Sequence, residues 1–380
     1  MITFCIPSKN NLRYLKTCIQ SIRTNSHYDT NDILVYVDQD NDGTEDWLKE
    51  NNIPYILNTD KECKGIGHAY DVMFKESYTD LVVAFHADMI LGPNADYHLV
   101  DYHKRGTVVC ATRIEPPLHP PGPEKVVMDF GMWPEDIKWE EFESFVKTQA
   151  GEKVNITTKG LFAPWLIHKD DHLGHDPIFL SVFEDADLFR RFKLAGYETI
   201  QSWSSYVYHL TCRGGQFEHA KVTEDLQVKS RSIDWQKNNQ ISLREYIRKW
   251  GGMFKEYGPC EPRPNTKYNV GLILEDSHPE IVAILEPFFD KLIVDCDCSE
   301  YIRIEQPNTK FDLASKFVNE LNTDIAINYK LNSGNLKEFM YIVEMLEELI
   351  TQAEPNSAYE VGPATLTVFS NIPTSMQLKL

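Results

Sequence analysis

The chain has 380 residues, 42% apolar and 25% charged, which is the composition of a folded protein and more length than one hydrophobic core usually organises. A net charge of −19, with no cluster of Lys or Arg to interrupt it, argues against nucleic acid as a partner. An anionic ligand would need a divalent cation, a few placed basic residues or backbone N–H groups at helix starts.

The first ninety residues alternate short apolar runs with segments of helical period, the pattern of a parallel sheet with crossover helices. Ile2 to Ile6 reads as the first strand. Leu12, Leu15, Ile19 and Ile22 follow at helical spacing, and Ile33 to Val37 is a second strand running into the acidic loop Asp38 to Gly43. Pro54 to Leu57 is a weaker third strand, Gly67 to Lys75 reads as helix, and Leu81 to Phe85, wholly apolar, reads as a central fourth strand covered on both faces. His86-Ala87-Asp88 follows at once.

A loop carries Pro116, Pro117, Pro120, Pro121 and Pro123, after which Leu161 to Ile167 is apolar again. A helix is predicted from about Asp185 to Ala195, ended by Gly196, and Tyr206 to Tyr208 is strand-like and leads into His209. Leu243, Tyr246, Ile247, Trp250 and Phe254 form a helical stripe, and Pro259, Pro262 and Pro264 break the chain after it. Strands at 270–274, 292–294, 324–328 and 366–369 then alternate with helices near 281–289, 313–321 and 336–350. The organisation expected is a main α/β domain over 1–230, a helical linker over 231–265 and a smaller α/β domain over 266–380.

The eight cysteines are scattered and read as reduced thiols; Cys296 and Cys298 lack the second pair or nearby His that a zinc site needs. The chain opens on a strand-like run and holds no apolar stretch near 18 residues, which predicts a soluble cytoplasmic protein.

In open α/β sheets ligands bind beyond the carboxyl ends of strands, and three polar clusters fall there: Pro7 to Asn11, Asp38 to Asp42, and His86 to Asp88. With them, an ordered set of motifs resembles the glycosyltransferases called family 2, with the GT-A fold. The motifs are Thr3 to Asn10, Val37-Asp38 with Asp42-Gly43-Thr44, Gly65 to Ala69, Phe85 to Asp88, Phe183 to Leu188, Ala195-Gly196-Tyr197 and Tyr208-His209. The resemblance covers about residues 1–215 and stops before the C-terminal domain.

The resemblance implies a Rossmann-like, mostly parallel catalytic domain that moves a sugar from a nucleotide-sugar donor, uridine-linked, to a glycan or other hydroxyl acceptor with inversion. It assigns Pro7, Ser8, Asn10, Asp38, Asp40, Gly65, His86, Ala87, Asp88 and Arg213 to the donor, with Asp38 accepting from the nucleobase imide. Asp88 and His209 would hold Mn²⁺ or Mg²⁺, a His ligand favouring Mn²⁺. Asp185 would be the general base and Glu184 would orient the acceptor or the base. The family's Asp-x-Asp metal motif is altered here, since His86 stands at its first position; His86 is either a packed or hydrogen-bonded strand-end histidine, or one that contacts the donor or supports the metal ligands from behind.

Other readings of the same residues remain. Asp38, Asp40, Asp42 and Gly43 fit the start of a calcium loop, but Lys49 stands at its twelfth position. Asp38 and Asp40 suit a solvated turn, Glu184 and Asp185 suit any helix start, and Arg213 suits a surface turn. His168, His172 and His175 lack the Glu of a zinc peptidase, and Gly65-Ile66-Gly67 lacks the third Gly of a dinucleotide fold. Trp165 is either a core residue or an acceptor platform. The altered metal motif also suits a catalytically silent relative that binds nucleotide or glycan, and a sugar-nucleotide pyrophosphorylase ranks last for want of a Gly-rich loop. The C-terminal domain would recognise acceptor or build a homo-oligomer.

Overall fold

The computed structural model describes residues 1–118, 121–122, 125–150, 162–180, 182–211, 233–252, 266–331 and 334–375. The described chain divides into two compact units, residues 1–239 and residues from 240 onward.

The first unit runs β1 (Thr3–Lys9), α1 (Leu12–Asn25), β2 (Asp32–Gln39), α2 (Thr44–Glu50), β3 (Tyr55–Leu57), α3 (Ile66–Glu76), β4 (Leu81–Ala84), β5 (Met89–Leu91), α4 (Ala95–Asp101), β6 (Thr107–Glu115), β7 (Lys125–Val127), α5 (Trp139–Gln149), β8 (Trp165–His168), α6 (Glu184–Leu194) and β9 (Glu198–His209). Its strands form one nine-stranded sheet in the order β3-β2-β1-β4-β8-β6-β9-β5, with β7 beside β6. The half β3-β2-β1-β4 is parallel, as the alternation of strands and helices predicts. Beyond β4 the sheet is mixed, because β8 pairs antiparallel with both β4 and β6.

Burial explains these elements. Leu15, Cys18, Ile19 and Ile22 lie on one face of α1 and are at most 2% exposed, so the helix is held by the stripe that its sequence shows. Val82, Val83 and Ala84 of β4 are fully buried between β1 and β8, the central place their apolar run predicts. A separate cluster of Ile90, Ile114, Phe130, Phe142, Tyr206 and Tyr208 backs the far end of the sheet. There the Tyr208 hydroxyl donates to Gly131 O at 2.7 Å and accepts from Phe130 N at 3.1 Å, tying the segment before α5 to β9. Trp165 is 2% exposed and packs on Phe74, Phe189 and Phe192, so it belongs to the core.

After α7 (Ile233–Trp250) come β10 (Thr266–Lys267), β11 (Val270–Glu275), α8 (Pro279–Leu285), β12 (Lys291–Val294), α9 (Ser299–Glu305), β13 (Ile325–Lys330), α10 (Leu336–Glu344), α11 (Leu346–Gln352), β14 (Ser357–Val361), β15 (Ala364–Val368) and β16 (Thr374–Ser375). Five of these strands make a sheet in the order β12-β11-β13-β15-β14, parallel over its first three members. The second sheet domain expected from the sequence is therefore present.

Two expected helices differ. The segment 313–321 holds only a short turn at Ala314–Lys316, because Val318 N donates to Leu292 O and Phe317 bridges Leu292, which draws the chain along β12 instead of into a helix. The helix expected over 336–350 is broken at Met345, whose N–H is shared between Tyr341 O and Ile342 O at 3.1 Å each. Cys296 and Cys298 are thiols with sulfurs 3.6 Å apart. Among the described residues no helix is long and apolar enough to cross a membrane.

The second unit carries a buried ionic network. Arg248 and Glu286 are nearly inaccessible, and the guanidinium donates to Glu286 at 2.6 Å, to Glu305 at 2.9 Å and to the Tyr301 hydroxyl at 3.2 Å. Breaking one member of such a set leaves uncompensated buried charge. Arg248→Met is predicted to destabilise the protein by about 3–5 kcal/mol in urea unfolding; a loss under about 1 kcal/mol would show that the carboxylates find water instead.

Candidate functional site

Strand pairing assembles the principal cluster. The chain leaves β4 through His86-Ala87-Asp88 and re-enters the sheet as β5, whose Met89 pairs with His209 at the end of β9. Leu210 N then donates to Asp88 O at 3.0 Å, so Asp88 and His209 are fixed side by side although 121 positions separate them. His209 Nε2 lies 3.6 Å from Asp88 Oδ1, and the His86 ring lies 6.0 Å from the His209 ring, edge-on. One donor atom from each of His86, Asp88 and His209 falls within 4.8 Å of the others, a spacing that a single divalent ion can span.

β6 supplies what stands behind His209. It pairs in parallel with β9, Ile114 against Tyr208, which brings the next residue, Glu115, against His209. Glu115 Oε1 lies 2.9 Å from His209 Nδ1, and its other oxygen accepts from Lys125 Nζ at 2.8 Å. A carboxylate on Nδ1 fixes the ring and turns Nε2 toward Asp88, the arrangement that orients metal-binding histidines. Glu115 and Arg113 lie outside the motifs read from the sequence; the signal available for them is a short apolar run, Val108 to Ala111, followed by Arg113-Ile114-Glu115 before prolines.

The electrostatics follow from the same neighbours. Burial opposes charge on His209, but Asp88 and Glu115 outweigh it and raise the imidazole to about 9. Burial lowers His86 to about 4, helped by the charges of His209 and Arg113 against the pull of Asp88, so His86 presents a neutral ring. Burial would raise Asp88, yet His209 and His86 bring it below the usual carboxylate range. Glu115 is likewise lowered, its burial overcome by His209, Arg113 and Lys125.

The remaining predicted residues lie at neighbouring strand ends. Pro7 and Ser8 are in β1, where Ser8 Oγ donates to Asn11 Oδ1 at 2.7 Å. Asn10 sits at φ 53° and its side-chain oxygen accepts from Asn41 N at 2.7 Å, linking the first two clusters. Asp38 accepts from Asn58 Nδ2 at 2.8 Å, Lys64 N at 2.9 Å and Gly65 N at 3.2 Å, so it shapes the turn that enters α3. Asp40 accepts four backbone N–H groups, those of Asp42, Gly43, Thr44 and Glu45, at 2.9–3.3 Å, and these hydrogen bonds outweigh its partial burial to lower its pKa. That is helix capping at α2, which accounts for the acidic run without calcium.

Gly65 has φ 85°, and a Cβ there would stand 2.1 Å from Leu180 O; Ile66 N donates to the same carbonyl at 3.0 Å. The Asp38 turn is thus stitched to the segment that precedes α6. Glu184 and Asp185 open that helix, after Phe183 at φ 71°. Asp185 Oδ1 accepts from Ala186 N at 2.7 Å, while Glu184 Oε2 is sealed from solvent with no hydrogen-bond partner among the described residues. Burial, and then the neighbouring Asp185 charge, push Glu184 up to about 8. Asp185 is also raised by burial, against the opposing pull of the Ala186 N–H, Arg113 and His175. Arg113 lies within electrostatic reach of Asp185, Glu115 and His86, which relates the carboxylate pair to the principal cluster. Arg213 lies outside the described residues.

Residues 3–146 match the family described as Glycosyl transferase family 2, so the resemblance read from the motifs is borne out over that span. No curated protein matches the chain. Solved structures to which the chain is similar include GalNAc-T7 with UDP, GalNAc and Mn²⁺, at 11% identity and TM-score 0.45 over 68% of this chain and 52% of that one. The mannosyltransferase PcManGT of Pyrobaculum calidifontis with GDP-Man and Mn²⁺ is similar at 12% identity and TM-score 0.42, over 65% of this chain and 63% of that one. TarS 1–349 of S. aureus with UDP is similar at 12% identity and TM-score 0.38, over 65% and 71%. The chain spans about half the length of the first of these structures and under two thirds of the second.

The raised Glu184 carboxyl has a signed consequence. Its stabilising contribution is fully present below the ordinary value of 4.5 and is lost as pH rises through about 8. Glu184→Gln removes that ionisation. Between pH 5 and pH 9 the stability of the variant relative to wild type should rise, by about 1 kcal/mol or more in urea unfolding; parallel pH profiles would contradict a buried, charge-averse Glu184.

Proposed function

We propose that the first unit transfers a glycosyl group from a uridine-linked nucleotide sugar to a hydroxyl acceptor, with metal assistance and inversion at the anomeric carbon. The observation that carries this reading is the convergence of His86, Asp88 and His209 at strand ends, near a carboxylate pair, in a chain whose residues 3–146 match family 2 glycosyltransferases. Two imidazoles and one carboxylate suit Mn²⁺ better than Mg²⁺, which favours all-oxygen surroundings. Bound there, the ion would stabilise the charge that develops on a departing diphosphate by several kcal/mol.

The chain's own groups have separate tasks. Glu115 keeps the His209 ring oriented, and Asp88 and Glu115 together hold a proton on that ring which ligation must displace. Among the described residues Asp38 Oδ2 accepts only from Gly65 N, leaving acceptor capacity for a base imide, and the φ of Gly65 holds this turn in place. Asp185, raised by burial, takes the proton from the acceptor hydroxyl as that oxygen attacks the face opposite the diphosphate. A single displacement of this kind inverts the anomeric centre without a covalent enzyme intermediate. Glu184, protonated below about 8, donates to an acceptor oxygen and positions it.

Asp88→Asn is predicted to lower sugar transfer about 1,000-fold, with EDTA having a comparable effect on wild type. Full turnover in the variant or in EDTA would remove the metal role. Asp185→Asn should leave UDP affinity unchanged in calorimetry while lowering turnover about 100-fold or more. Retained turnover would displace Asp185 as base.

A further inference from the structure

A second convergence of ligand-type side chains lies outside the residues assigned to donor and base. Asp71 of α3 faces two imidazoles from the segment after β8: its Oδ1 is 2.7 Å from His172 Nε2 and 2.7 Å from His175 Nδ1. The carboxylate also accepts the backbone N–H of His175 at 3.0 and 3.1 Å. The donor atoms of the three residues lie within 4.8 Å of one another. The side chains of His172 and His175 are 7% and 4% exposed, whereas that of Asp71 is 33% exposed, so the cluster is walled on the imidazole side and open on the carboxylate side.

The walls are built. His172 stacks on Trp165 at 6.0 Å and meets Phe74 edge-on at 4.9 Å, and His175 stacks on Tyr70 at 6.0 Å. Gly67 leaves no room for a side chain, since a Cβ there would stand 2.8 Å from that of His175. From the other side Arg191, paired with Asp187 at 2.8 Å, donates to Leu173 O at 3.2 Å and Gly174 O at 2.6 Å. The backbone between the two histidines is therefore held before any ligand arrives. His172 Nδ1 is buried with no hydrogen-bond partner among the described residues, so this ring contributes polar bonding through Nε2 alone. A phenylalanine would pack there without that unsatisfied atom. His168, at helical spacing in the sequence, takes no part, as its Nδ1 accepts from Asp170 N.

We propose that Asp71, His172 and His175 form a second divalent-cation site, with its own ligand set apart from His86, Asp88 and His209, for a borderline ion of the Zn²⁺ class. Two neutral imidazoles and one carboxylate are the ligands such ions prefer, and three protein ligands leave the fourth position to water on the exposed side of Asp71. The ion displaces the two ring-to-carboxylate hydrogen bonds, each ring carrying its proton on the nitrogen facing away. An ion held there braces the segment that leads through Leu180 to α6.

The test uses Co²⁺ alone, without nucleotide, on the full chain. Bound metal is counted by mass spectrometry after desalting, and four-coordinate Co²⁺ is read from its visible d–d bands. Because His86, Asp88 and His209 can also take Co²⁺, the comparison is made in the Asp88→Asn background: Asp88→Asn should show those bands with one equivalent, and Asp88→Asn/Asp71→Asn and Asp88→Asn/His172→Gln should lose both while keeping wild-type circular dichroism. Absence of the equivalent in Asp88→Asn, or its persistence in Asp88→Asn/Asp71→Asn, would overturn the proposal. Should the His172→Gln variant fail to fold, the comparison of Asp88→Asn with Asp88→Asn/Asp71→Asn decides. The result is independent of transferase activity.

Discussion

The candidate site depends on one arrangement: a largely buried imidazole, His209, held between two carboxylates, Asp88 just before β5 and Glu115 at the end of β6. None of the three could be placed by local structure. β5 and β6 must both flank β9, and in the right register, before Asp88 and Glu115 reach the same ring. A slip of one residue in a strand turns every side chain to the opposite face, so the aromatic cluster that anchors this end of the sheet also fixes the chemistry. Tyr208, the neighbour of His209, is fully buried and hydrogen-bonded at both its donor and its acceptor, which locks that register.

Much of this was legible in the sequence, for an identifiable reason. Helical period in α1 and an unbroken apolar run in β4 reflect burial on one face or on two, and burial is written in single residues. The polar clusters after those strands could therefore be placed at one edge of a sheet. Glu115 and Arg113 were not legible because their role is created by pairing across β6 and β9, and β9 itself carries Gln, Ser and Thr that hide its first half. Asp40 shows the converse: an acidic loop that suggested ligand chemistry is occupied by the four amides at the start of α2.

The second unit shows where periodicity misleads. Residues 313–321 have helical spacing, but pairing of Phe317 and Val318 with Leu292 takes the segment along a strand. Its buried Arg248 set is made from residues far apart in sequence, Glu286, Tyr301 and Glu305, so no local pattern announces it. His86 lies between these cases. Its substitution for the first Asp of the family motif left two readings open, and the structure puts a neutral imidazole within the donor cluster, so the altered motif still presents a third potential ligand.

In the proposed function the His86, Asp88 and His209 cluster couples a divalent ion to a nucleoside diphosphate. Calorimetric titration of UDP into the full chain, with and without Mn²⁺, tests that coupling most directly. UDP should bind about tenfold or more tightly with Mn²⁺ present, a coupling of at least about 1.4 kcal/mol. Equal affinity in the two titrations, or no binding in either, would contradict it.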